Sequence, residues 1–451
     1  MGIPGARSES ECAAIARFRS LLELPTISHA DESQTDWTVF DRFIERVHEL
    51  YPALHAVLER ELVAGHSLLY RWRGAGDGNP TVLMAHYDVV PATDEGWDYP
   101  PFAATIVGAD ADEVIWGRGT LDDKGALVSV LEAVERLVVA GFTPANDVYL
   151  SFGHNEETAG NGAAAAVAVL AARGIRPALV IDEGGAIVEG AFPGVKKPVA
   201  VVGVSEKGLT SIVLSVDQVG GHASTPPKLT ATVRLARAIV RVAAKPFPAE
   251  FSPTNIAMIG VLGKHANGAI GFAFRNLWLT RPLLLVLFGR LSEETSAMIR
   301  TTQAVTRLSG SAAANVLAER ASATVNIRVA VGSSVDDAID HIRRAIRDDA
   351  VSIEVLERSE PSPVSPATGR AWQLISDAVE QTYPGTVVTP YIQLGASDSR
   401  RFTEISDHVY RFSPFEMSKD ERATLHARNE RIHVTTWLRG IDFYERLVSD
   451  V

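Results

Sequence analysis

The sequence has a single cysteine, Cys12, among its 451 residues. An intrachain disulfide is therefore excluded, and such sparse use of cysteine is typical of a reducing compartment. There is no run of basic residues, and the formal net charge is −12, so nucleic acid is not expected as a partner. The N-terminus shows no apolar stretch of the kind found in signal peptides. We therefore expect a cytoplasmic location.

Long hydrophobic runs are also missing. The most apolar stretch, "PLLLVLF" at residues 282–288, is far shorter than the ~20 residues that a transmembrane helix needs, so stable membrane insertion is not expected. The wider segment 271–291 has three interpretations. It is a core or subunit-interface helix, an apolar wall that suits a long N-acyl chain, or a peripheral membrane contact. The last is least favoured because no lipid-facing basic cluster accompanies it.

What is present indicates a globular α/β protein of two domains. Apolar residues make up 46% of the sequence, and the length exceeds what one ordinary core holds. Apolar segments typical of strands alternate with segments of helical periodicity, which predicts a mostly parallel mixed sheet flanked by helices. The predicted strands include 67–74, 81–86, 147–153 and 178–182, and the helices between and after them include 124–141 and 162–174.

The pattern changes after about residue 206. An alternating strand, a glycine-histidine turn and further strands and helices predict a smaller α+β domain at 207–358, inserted as a lid and dimerisation domain. A linker rich in proline and serine, 359–369, then leads back to the first domain. The catalytic domain is therefore predicted to be discontinuous, formed by 1–206 and 359–451.

Ionisable side chains follow several of the predicted strands or precede a helix. In open α/β sheets, such positions meet in the crevice at the carboxyl ends of the strands. So many carboxylates in one crevice would repel each other unless cations neutralised them. Imidazole and carboxylate together are good ligands for Zn²⁺, with Co²⁺ or Mn²⁺ as alternatives. Any one of these residues alone is more often structural, but their joint occurrence favours a metal site. The candidates are His86, Asp88, Asp122, Asp123, Glu156, Glu157 and Asp182.

The motifs that carry these residues resemble a known family. In order along the chain they are "HYDVVP", "WGRGTLDDKG", "SFGHNEETAG", "IDEGG", "SEKG", "GGHASTPP", "NVLAERASATVNIRV" and "HARNERI". Together they resemble the dinuclear-zinc exopeptidases, a family that contains glutamate carboxypeptidase, aminoacylase and dipeptidases. Within that family they are most like the branch of carboxypeptidase S and N-fatty-acyl-amino-acid synthase/hydrolase. The resemblance extends from about residue 20 to about residue 445.

The resemblance implies two Zn²⁺ ions per subunit. His86 and Asp182 would bind the first ion, and Glu157 and His426 of "HARNERI" would bind the second. Asp122 would bridge the two. Each ion would keep an open position for water or substrate, as catalytic zinc does.

The resemblance also implies three catalytic roles. Asp88 would hydrogen-bond the ring of His86 and orient it. Glu156 would be the general base that takes a proton from the attacking water. His222 would donate to the oxyanion of the tetrahedral intermediate, commonly in the active site of the partner subunit, although it could instead be an ordinary loop histidine. Asp123 is expected to cap a helix or to support the ligands rather than bind metal.

Four further residues are expected to bind the substrate. Arg328 in "NIRV" would hold the substrate carboxylate with its guanidinium group, although an exposed strand arginine is the alternative. Asn315 would help to bind the substrate. In the turn "GASDSR", Gly395 and Ser397 would contact the carboxylate through backbone and hydroxyl groups.

The activity implied by the resemblance is hydrolysis of the amide bond of an N-acyl amino acid or dipeptide that has a free carboxylate. The expected partners are this small-molecule substrate and a second copy of the chain in a homodimer. One alternative is a synthase that runs the same chemistry in reverse. Another is a catalytically inactive binding protein, which the presence of Glu156 and of the whole ligand set argues against.

Overall fold

The computed structural model describes residues 7–451. Within them, fourteen α-helices and seventeen strands are formed. The strands are β1 (Glu59–Val63), β2 (Ser67–Trp72), β3 (Thr81–His86), β4 (Thr105–Val107), β5 (Val114–Trp116), β6 (Val148–Gly153), β7 (Leu179–Val188), β8 (Val199–Glu206), β9 (Gly208–Asp217), β10 (Gly221–His222), β11 (Thr302–Ser309), β12 (Val316–Leu317), β13 (Arg320–Val329), β14 (Ser352–Ser359), β15 (Val387–Gln393), β16 (Val409–Met417) and β17 (Arg431–His433). The helices are α1 (Glu9–Leu22), α2 (Trp37–Leu50), α3 (Pro52–Val57), α4 (Lys124–Val139), α5 (Gly162–Ala172), α6 (Ala231–Ala243), α7 (Pro253–His265), α8 (Gly268–Arg275), α9 (Leu277–Leu291), α10 (Glu293–Met298), α11 (Val335–Ile346), α12 (Gly369–Thr382), α13 (Lys419–Arg422) and α14 (Val434–Ser449).

Eight strands form the large sheet, in the order β1-β2-β6-β3-β7-β16-β8-β15. The central pairs β6–β3, β3–β7 and β7–β16 are parallel, as is β8–β15, whereas β1 and β2 are joined antiparallel at one edge. Strands β3 and β6 are buried along their whole length, which explains why their sequences are almost continuously apolar. The predicted mixed, mostly parallel sheet is confirmed.

Helices cover both faces of this sheet. Along β3, Leu83 packs in the core shared with α4 and α14, and its neighbour Val82 packs in the core shared with α5. This alternation is what a strand with two covered faces requires. Because both faces are covered, the chemistry-bearing residues are confined to the strand ends.

A smaller antiparallel sheet has the strand order β11-β13-β9-β14. Residues of β13 alternate regularly between buried and partly exposed positions, and the buried face packs on α6 and α11. Helix α11 begins at a capping box formed by Ser334 and Asp337 and buries an amphipathic stripe. The chain passes from the large sheet to the small sheet between Glu206 and Gly208, and it leaves the small sheet after Ser359.

The helices α7 to α10 pack with the large sheet rather than with the small one. Met258, Ile259 and Leu262 of α7 belong to the core of the large sheet, and α7 contacts β15. The predicted lid, 207–358, therefore includes a helical segment that packs against the core of the large sheet. The small sheet with α6 and α11 is the part that is separate from that core.

Helix α9 is only partly buried. Leu284 and Phe288 enter the core, whereas Trp278 is 82% exposed and Leu283 is 67% exposed. Within residues 7–451, no single helix has the length and apolar composition to cross a membrane. Helices α8 and α9 meet that criterion only as a pair, and they are bent by 118° relative to each other.

Candidate active site

The predicted metal ligands come from distant parts of the chain and meet at the ends of the central strands of the large sheet. His86 is the last residue of β3, and Glu157 lies in the turn after β6. Asp122 precedes α4, and His426 lies in the turn between α13 and β17. These are the carboxyl ends of the parallel strands, where open α/β sheets form their binding sites.

Asp122 lies between the two imidazoles. Its Oδ1 is 3.0 Å from Nε2 of His86, and its Oδ2 is 2.9 Å from Nε2 of His426. The same His426 nitrogen is 3.1 Å from Oε2 of Glu157. The two oxygens of the Asp122 carboxylate thus face two separate groups of potential metal ligands. This is the arrangement expected of a ligand that bridges two ions.

Glu183 occupies the place that we predicted for Asp182. Oε1 of Glu183 is 3.5 Å from Nε2 of His86, and a group of potential ligand atoms within 4.8 Å of one another contains His86, Glu156 and Glu183. Oδ2 of Asp182 instead accepts the backbone N–H of Ser399 at 2.9 Å. Consecutive residues of a strand point to opposite faces, so only one of the pair can face His86. The geometry favours Glu183, and this corrects the predicted ligand set.

Asp88 holds several parts of the site together. Its Oδ1 is 3.3 Å from Nδ1 of His86, and its two carboxylate oxygens accept the backbone N–H groups of Glu156 and Glu157, each at 3.1 Å. The hydroxyl of Ser28 also donates to Asp88, at 2.7 Å. The backbone carbonyl of Asp88 is closer still to Nδ1 of His86, at 3.0 Å. Asp88 thus contacts the ring of His86 and fixes the turn that carries Glu156 and Glu157, and its orienting role stays a prediction.

A second buried carboxylate supports the backbone at Asp122. Glu430, which is fully buried, accepts the backbone N–H groups of Leu121 at 2.8 Å and Asp122 at 3.2 Å, and it forms an ion pair with Arg118. Sequence reasoning missed Glu430, although it lies in the same "HARNERI" motif as His426. It fixes the backbone that presents Asp122.

Burial of the carboxylates, together with repulsion between them, shifts their pKa values upwards. Burial, followed by the charge of Asp122, raises the pKa of Glu183 to about 8. Burial, followed by the charge of Asp182, raises the pKa of Asp398 to about 7. Burial also raises the pKa of Glu156 and of Glu157. Glu183 would therefore hold a proton at neutral pH unless positive charge were supplied.

The imidazoles show the complementary effect. Hydrogen bonds to Asp122 and Glu157 raise the pKa of His426 to about 10. Burial alone would lower the pKa of His86, but the surrounding carboxylates, Glu183 first, outweigh burial and raise it. The carboxylates thus favour the charged form of both imidazoles when no metal ion is bound. Bound divalent cations would supply that positive charge instead, and the imidazoles would then be neutral ligands.

The donor set fits divalent metal ions. Zinc binds imidazole nitrogen and carboxylate oxygen at about 2.0–2.2 Å in tetrahedral geometry, which corresponds to roughly 3.4 Å between neighbouring ligand atoms. The separations here run from 2.9 to 3.5 Å. Oε1 of Glu157 is buried and has no hydrogen-bond partner, which leaves a lone pair for a ligand bond. One group would hold an ion through His86, Asp122 and Glu183, and the other through Asp122, Glu157 and His426.

Asp398 is a further buried acid that sequence reasoning did not single out. Its pKa responds to the charges of Asp182, His86 and Asp88, so it lies beside the cluster. A side chain on Gly153 would place its Cβ 2.8 Å from Oδ2 of Asp398. Gly153 thus leaves the space that Asp398 occupies.

The two lid residues with predicted roles are neighbours. His222 pairs with Val316 between β10 and β12, and the backbone N–H of Ala223 donates to the carbonyl of Asn315 at 3.0 Å. Both His222 and Asn315 are exposed, and Nδ1 of His222 is 2.8 Å from the hydroxyl of Ser224. The structure does not bring His222 or Asn315 into hydrogen-bond contact with the metal-site cluster.

Arg328 belongs to a group of three cations. Burial, followed by the charge of Arg328, lowers the pKa of Lys207 to about 8. Burial also lowers the pKa of Arg400, and Arg328 is among the charges that add to this shift. Lys207 and Arg400 were not predicted. Nε of Arg400 is already 3.2 Å from Oε1 of the buried Glu206, so Lys207 and Arg328 are the two cations of this group that would receive an anion.

Ser397 is placed differently from its predicted role. Its backbone N–H and its hydroxyl both donate to Oε2 of Glu206, at 3.1 and 3.3 Å. Glu206 is fully buried and also pairs with Arg411 and Arg400. Ser397 therefore fixes its turn instead of offering donors to a substrate. Gly395 is exposed, with open space around its Cα apart from Gln393.

With this geometry in view, comparison with known proteins identifies the family. Residues 82–450 match the model of peptidase family M20/M25/M40. The chain belongs to this family. Human N-fatty-acyl-amino acid synthase/hydrolase PM20D1 is 34% identical over 456 residues, covering 99% of this chain and 90% of the human protein. Probable carboxypeptidase S-like 2 of Dictyostelium discoideum is 34% identical over 449 residues, covering 98% of this chain and 85% of that protein. The predicted family and branch are confirmed.

Solved structures of family M20 share the fold. The metallo-carboxypeptidase Sso-CP2 of Sulfolobus solfataricus has a TM-score of 0.71 at 16% identity, covering 98% of this chain and 99% of that one. The YXEP protein of Bacillus subtilis, described as a dinuclear metal binding peptidase, has a TM-score of 0.59 at 13% identity, covering 98% of both chains. The chain is thus an enzyme of a metallopeptidase family that acts on amide bonds.

Proposed function

We propose that this M20 enzyme hydrolyses the amide bond between an acyl group and an amino acid that has a free carboxylate, at a site that holds two zinc ions. The observation that carries the proposal is the position of Asp122, whose two oxygens face His86 at 3.0 Å and His426 at 2.9 Å. Lys207 and Arg328 support the carboxylate requirement, because they place two positive charges close together at the junction of the two sheets.

One ion would be held by His86, Asp122 and Glu183, with Glu183 in place of Asp182. The other ion would be held by Asp122, Glu157 and His426. When bound, divalent cations polarise an amide carbonyl and make water a stronger acid. Asp88 keeps His86 in the tautomer and ring orientation that a ligand needs, through its contact with Nδ1.

Glu156 is the proposed general base. Its backbone is fixed by Asp88, and burial raises its pKa, which brings a carboxylate closer to the pKa that proton transfer near neutral pH favours. It takes a proton from the attacking water and delivers it to the amine nitrogen as the C–N bond breaks. One residue thus serves both proton transfers.

The lid supplies the remaining polar contacts. Arg328 lies next to Lys207 at the junction of the two sheets, so closure of the lid would bring a guanidinium group onto the substrate carboxylate. His222 and Asn315 are exposed neighbours on the lid and belong to this set. We propose that His222 stabilises the oxyanion in the partner subunit's site within a homodimer, because its own strand leaves it in solvent. The cytoplasmic location remains a prediction from the sequence.

A synthase that condenses a fatty acid with an amino acid is the second candidate. The observation in its favour is the name of the human relative, which covers both directions. The same residues would serve both reactions, since a catalyst accelerates a reaction and its reverse alike. The direction is then set by the concentrations of substrate and product.

The test is an assay of the zinc-loaded enzyme on N-acetyl, N-lauroyl and dipeptide substrates, with release of free amine as the readout. Each substrate is compared with its carboxamide, which lacks the free carboxylate. We expect hydrolysis of the acids and little of the carboxamides. Equal rates on acids and carboxamides would contradict the role of the cation group. Incubation of fatty acid with amino acid in the same buffer measures the reverse reaction.

A further inference from the structure

The outer face of helix α9 is apolar and exposed to solvent. We call its exposed apolar residues the apolar stripe: Trp278, Leu279, Leu283, Val286, Leu287 and Leu291. They lie on the side of α9 that points away from the core. A surface helix of a soluble protein normally has polar residues on this side. A row of exposed apolar side chains of this kind therefore indicates an interaction site.

The apolar surface continues from α9 onto the preceding helix. Phe272 of α8 is 56% exposed, and only Asn276 separates the two helices. Together α8 and α9 have the length and apolar composition of a membrane span, but the bend of 118° between them prevents them from forming one straight span. An exposed apolar helix pair of this shape suits a position along a membrane surface.

Residues 251–292 differ in charge from the chain as a whole. The chain has 55 acidic residues and a formal net charge of −12, whereas this segment has four cations and no acidic residue, a formal charge of +4. Arg281, one of the four, lies 3.4 Å from Glu250, just outside the segment. The other three are exposed: Lys264, Arg275 and Arg290. A locally basic surface on an acidic protein favours an anionic partner.

Arg275 lies beside the end of α7. Its Nη1 donates to the backbone carbonyls of Gly263 and Ala266, at 2.8 and 3.2 Å. Lys264 lies between these two residues in the sequence and is exposed. Two cations from different helices are thus neighbours in the fold.

The loop between β7 and β8 adds two more lysines. Val195 forms an antiparallel bridge with Ala266, so Lys196 and Lys197 extend back along the chain towards Lys264. Both lysines are exposed. The sequence disfavours a membrane contact because no basic cluster accompanies segment 271–291. The fold nevertheless forms a basic cluster from residues that are distant in the chain: Lys196, Lys197, Lys264 and Arg275.

The basic cluster and the apolar stripe adjoin each other. Arg275 is the last residue of α8, and Trp278 follows it at the start of α9. At the other end of α9, Arg290 directly precedes Leu291 of the stripe. Tryptophan is enriched at the boundary between hydrocarbon and water, and lysine and arginine reach polar groups while their stems cover apolar surface. The arrangement matches both layers of an anionic membrane surface.

Charge favours a membrane over a second copy of the chain as the occupant of this surface. In a symmetric dimer each subunit would present the same surface to the other, so two basic clusters would meet at one interface and repel each other. An anionic membrane instead carries the opposite charge. It also accepts apolar side chains without a complementary groove.

We propose that the apolar stripe and the basic cluster dock the enzyme on the surface of an anionic phospholipid membrane. The stripe lies at the boundary between headgroups and acyl chains, and the basic cluster contacts lipid phosphates. Neither helix crosses the bilayer. The proposal concerns location on a surface and does not rest on the proposed amide hydrolysis.

Co-flotation of the zinc-loaded enzyme with lipid vesicles tests this proposal. One set of vesicles is made of phosphatidylcholine alone, and the other contains phosphatidylglycerol as well. Leu283→Glu places a charge in the apolar stripe, and Trp278→Ser removes an aromatic side chain from it. Val139→Glu is the matched control, because Val139 is 71% exposed on α4 and belongs neither to the stripe nor to the cluster.

The basic cluster is tested by a triple variant with a second triple variant as its control. The first combines Lys196→Gln, Lys197→Gln and Lys264→Gln. The control removes the same charge from exposed positions elsewhere: Arg42→Gln, Arg237→Gln and Arg344→Gln. Circular dichroism and zinc content verify that each variant is folded and metal-loaded.

We expect the original enzyme to float with the phosphatidylglycerol vesicles and to bind phosphatidylcholine alone about tenfold more weakly or less. Leu283→Glu and Trp278→Ser should each weaken binding by about tenfold or more. The cluster variant should weaken it by about 100-fold, at about fivefold for each cation. Both controls should stay within about threefold of the original enzyme, because charges far from the contact are screened.

The proposal is overturned if the enzyme does not bind phosphatidylglycerol vesicles at low ionic strength, or if Leu283→Glu binds them as well as Val139→Glu does. It is also overturned if light scattering shows that Leu283→Glu dissociates a dimer of the original enzyme, because a second copy would then cover the stripe. Vesicle binding is measured without substrate, so these failures are distinct from a failure of the proposed hydrolysis.

Discussion

The metal-site edge of the large sheet and the tip of the lid differ in how they hold their functional side chains. His86, Asp88 and Glu430 are buried, and each is fixed by at least two partners. His222 and Asn315 are exposed, and the contacts that the structure gives them are local ones within the lid. The buried residues at the strand ends are therefore preorganised, whereas the proposed roles of His222 and Asn315 require closure of the lid or a second subunit.

The largest expected effect tests the preorganised region. Glu156→Gln keeps the size of the side chain and removes its proton acceptor. We expect kcat to fall by about 10²–10⁴, the usual contribution of general acid–base catalysis, while metal content measured by elemental analysis stays the same. Full activity in this variant would remove Glu156 from the role of base.

The lid is tested by His222→Ala. Loss of one oxyanion donor should lower kcat by about 10²–10³ without changing metal content, because His222 does not contact the cluster. Asn315→Ala is the neighbouring control and should have a smaller effect, since a single neutral contact contributes less.

Mixed dimers sharpen this test. Heterodimers of His222→Ala and Glu156→Gln subunits contain one site with both residues intact only if His222 acts in the partner subunit's site. Mixing the two inactive variants should therefore restore part of the activity. If subunit exchange is verified and activity does not recover, His222 acts in its own subunit's site or takes no part in catalysis.

A smaller effect distinguishes the two neighbours on β7. Glu183→Gln should remove a direct ligand and lose one ion under conditions where the original enzyme retains two. Asp182→Asn should retain both ions and lose affinity by about 10–100-fold at most, which is typical of residues that support a ligand. Zinc titration measures both variants. The reverse order would restore Asp182 as the ligand.

The smallest effect concerns stability and pH. In the metal-free chain, the pKa of Glu183 is raised from 4.5 to about 8, so the folded state holds a proton that the unfolded state releases. Stability of the metal-free chain therefore falls as pH rises from about 5 to 8. Bound cations remove this penalty and add about 2.7 kcal/mol at a free concentration 100 times the Kd. The difference in Tm between loaded and chelated protein should widen over this range. A constant or narrowing difference would contradict the electrostatic account.

The same contrast explains what the sequence could predict. His86, Asp122, Glu157 and His426 lie in motifs that fix their position, and the apolar strands before two of them already implied the sheet edge. The choice between Asp182 and Glu183 depended on which face of β7 meets His86. Adjacent strand residues point to opposite faces, but the sequence does not tell which of the two acids points to His86.

Other differences depend on tertiary contacts. Ser397 was assigned to the substrate from its motif, but the acceptor that binds it, Glu206, lies 191 residues away along the chain. The helices from Pro253 to Met298 follow lid strands in the sequence, yet their apolar side chains pack on the large sheet. Periodicity predicts which face of a helix is buried and gives no information on the partner.

The central claim is that Asp122 bridges two divalent cations. The most direct test is anomalous diffraction at the zinc edge from crystals of the zinc-loaded protein. The account predicts two peaks per chain on either side of the Asp122 carboxylate, one near His86 and Glu183 and the other near Glu157 and His426, and no peak in Asp122→Ala crystals. A single peak, or two peaks that do not share Asp122, would contradict it.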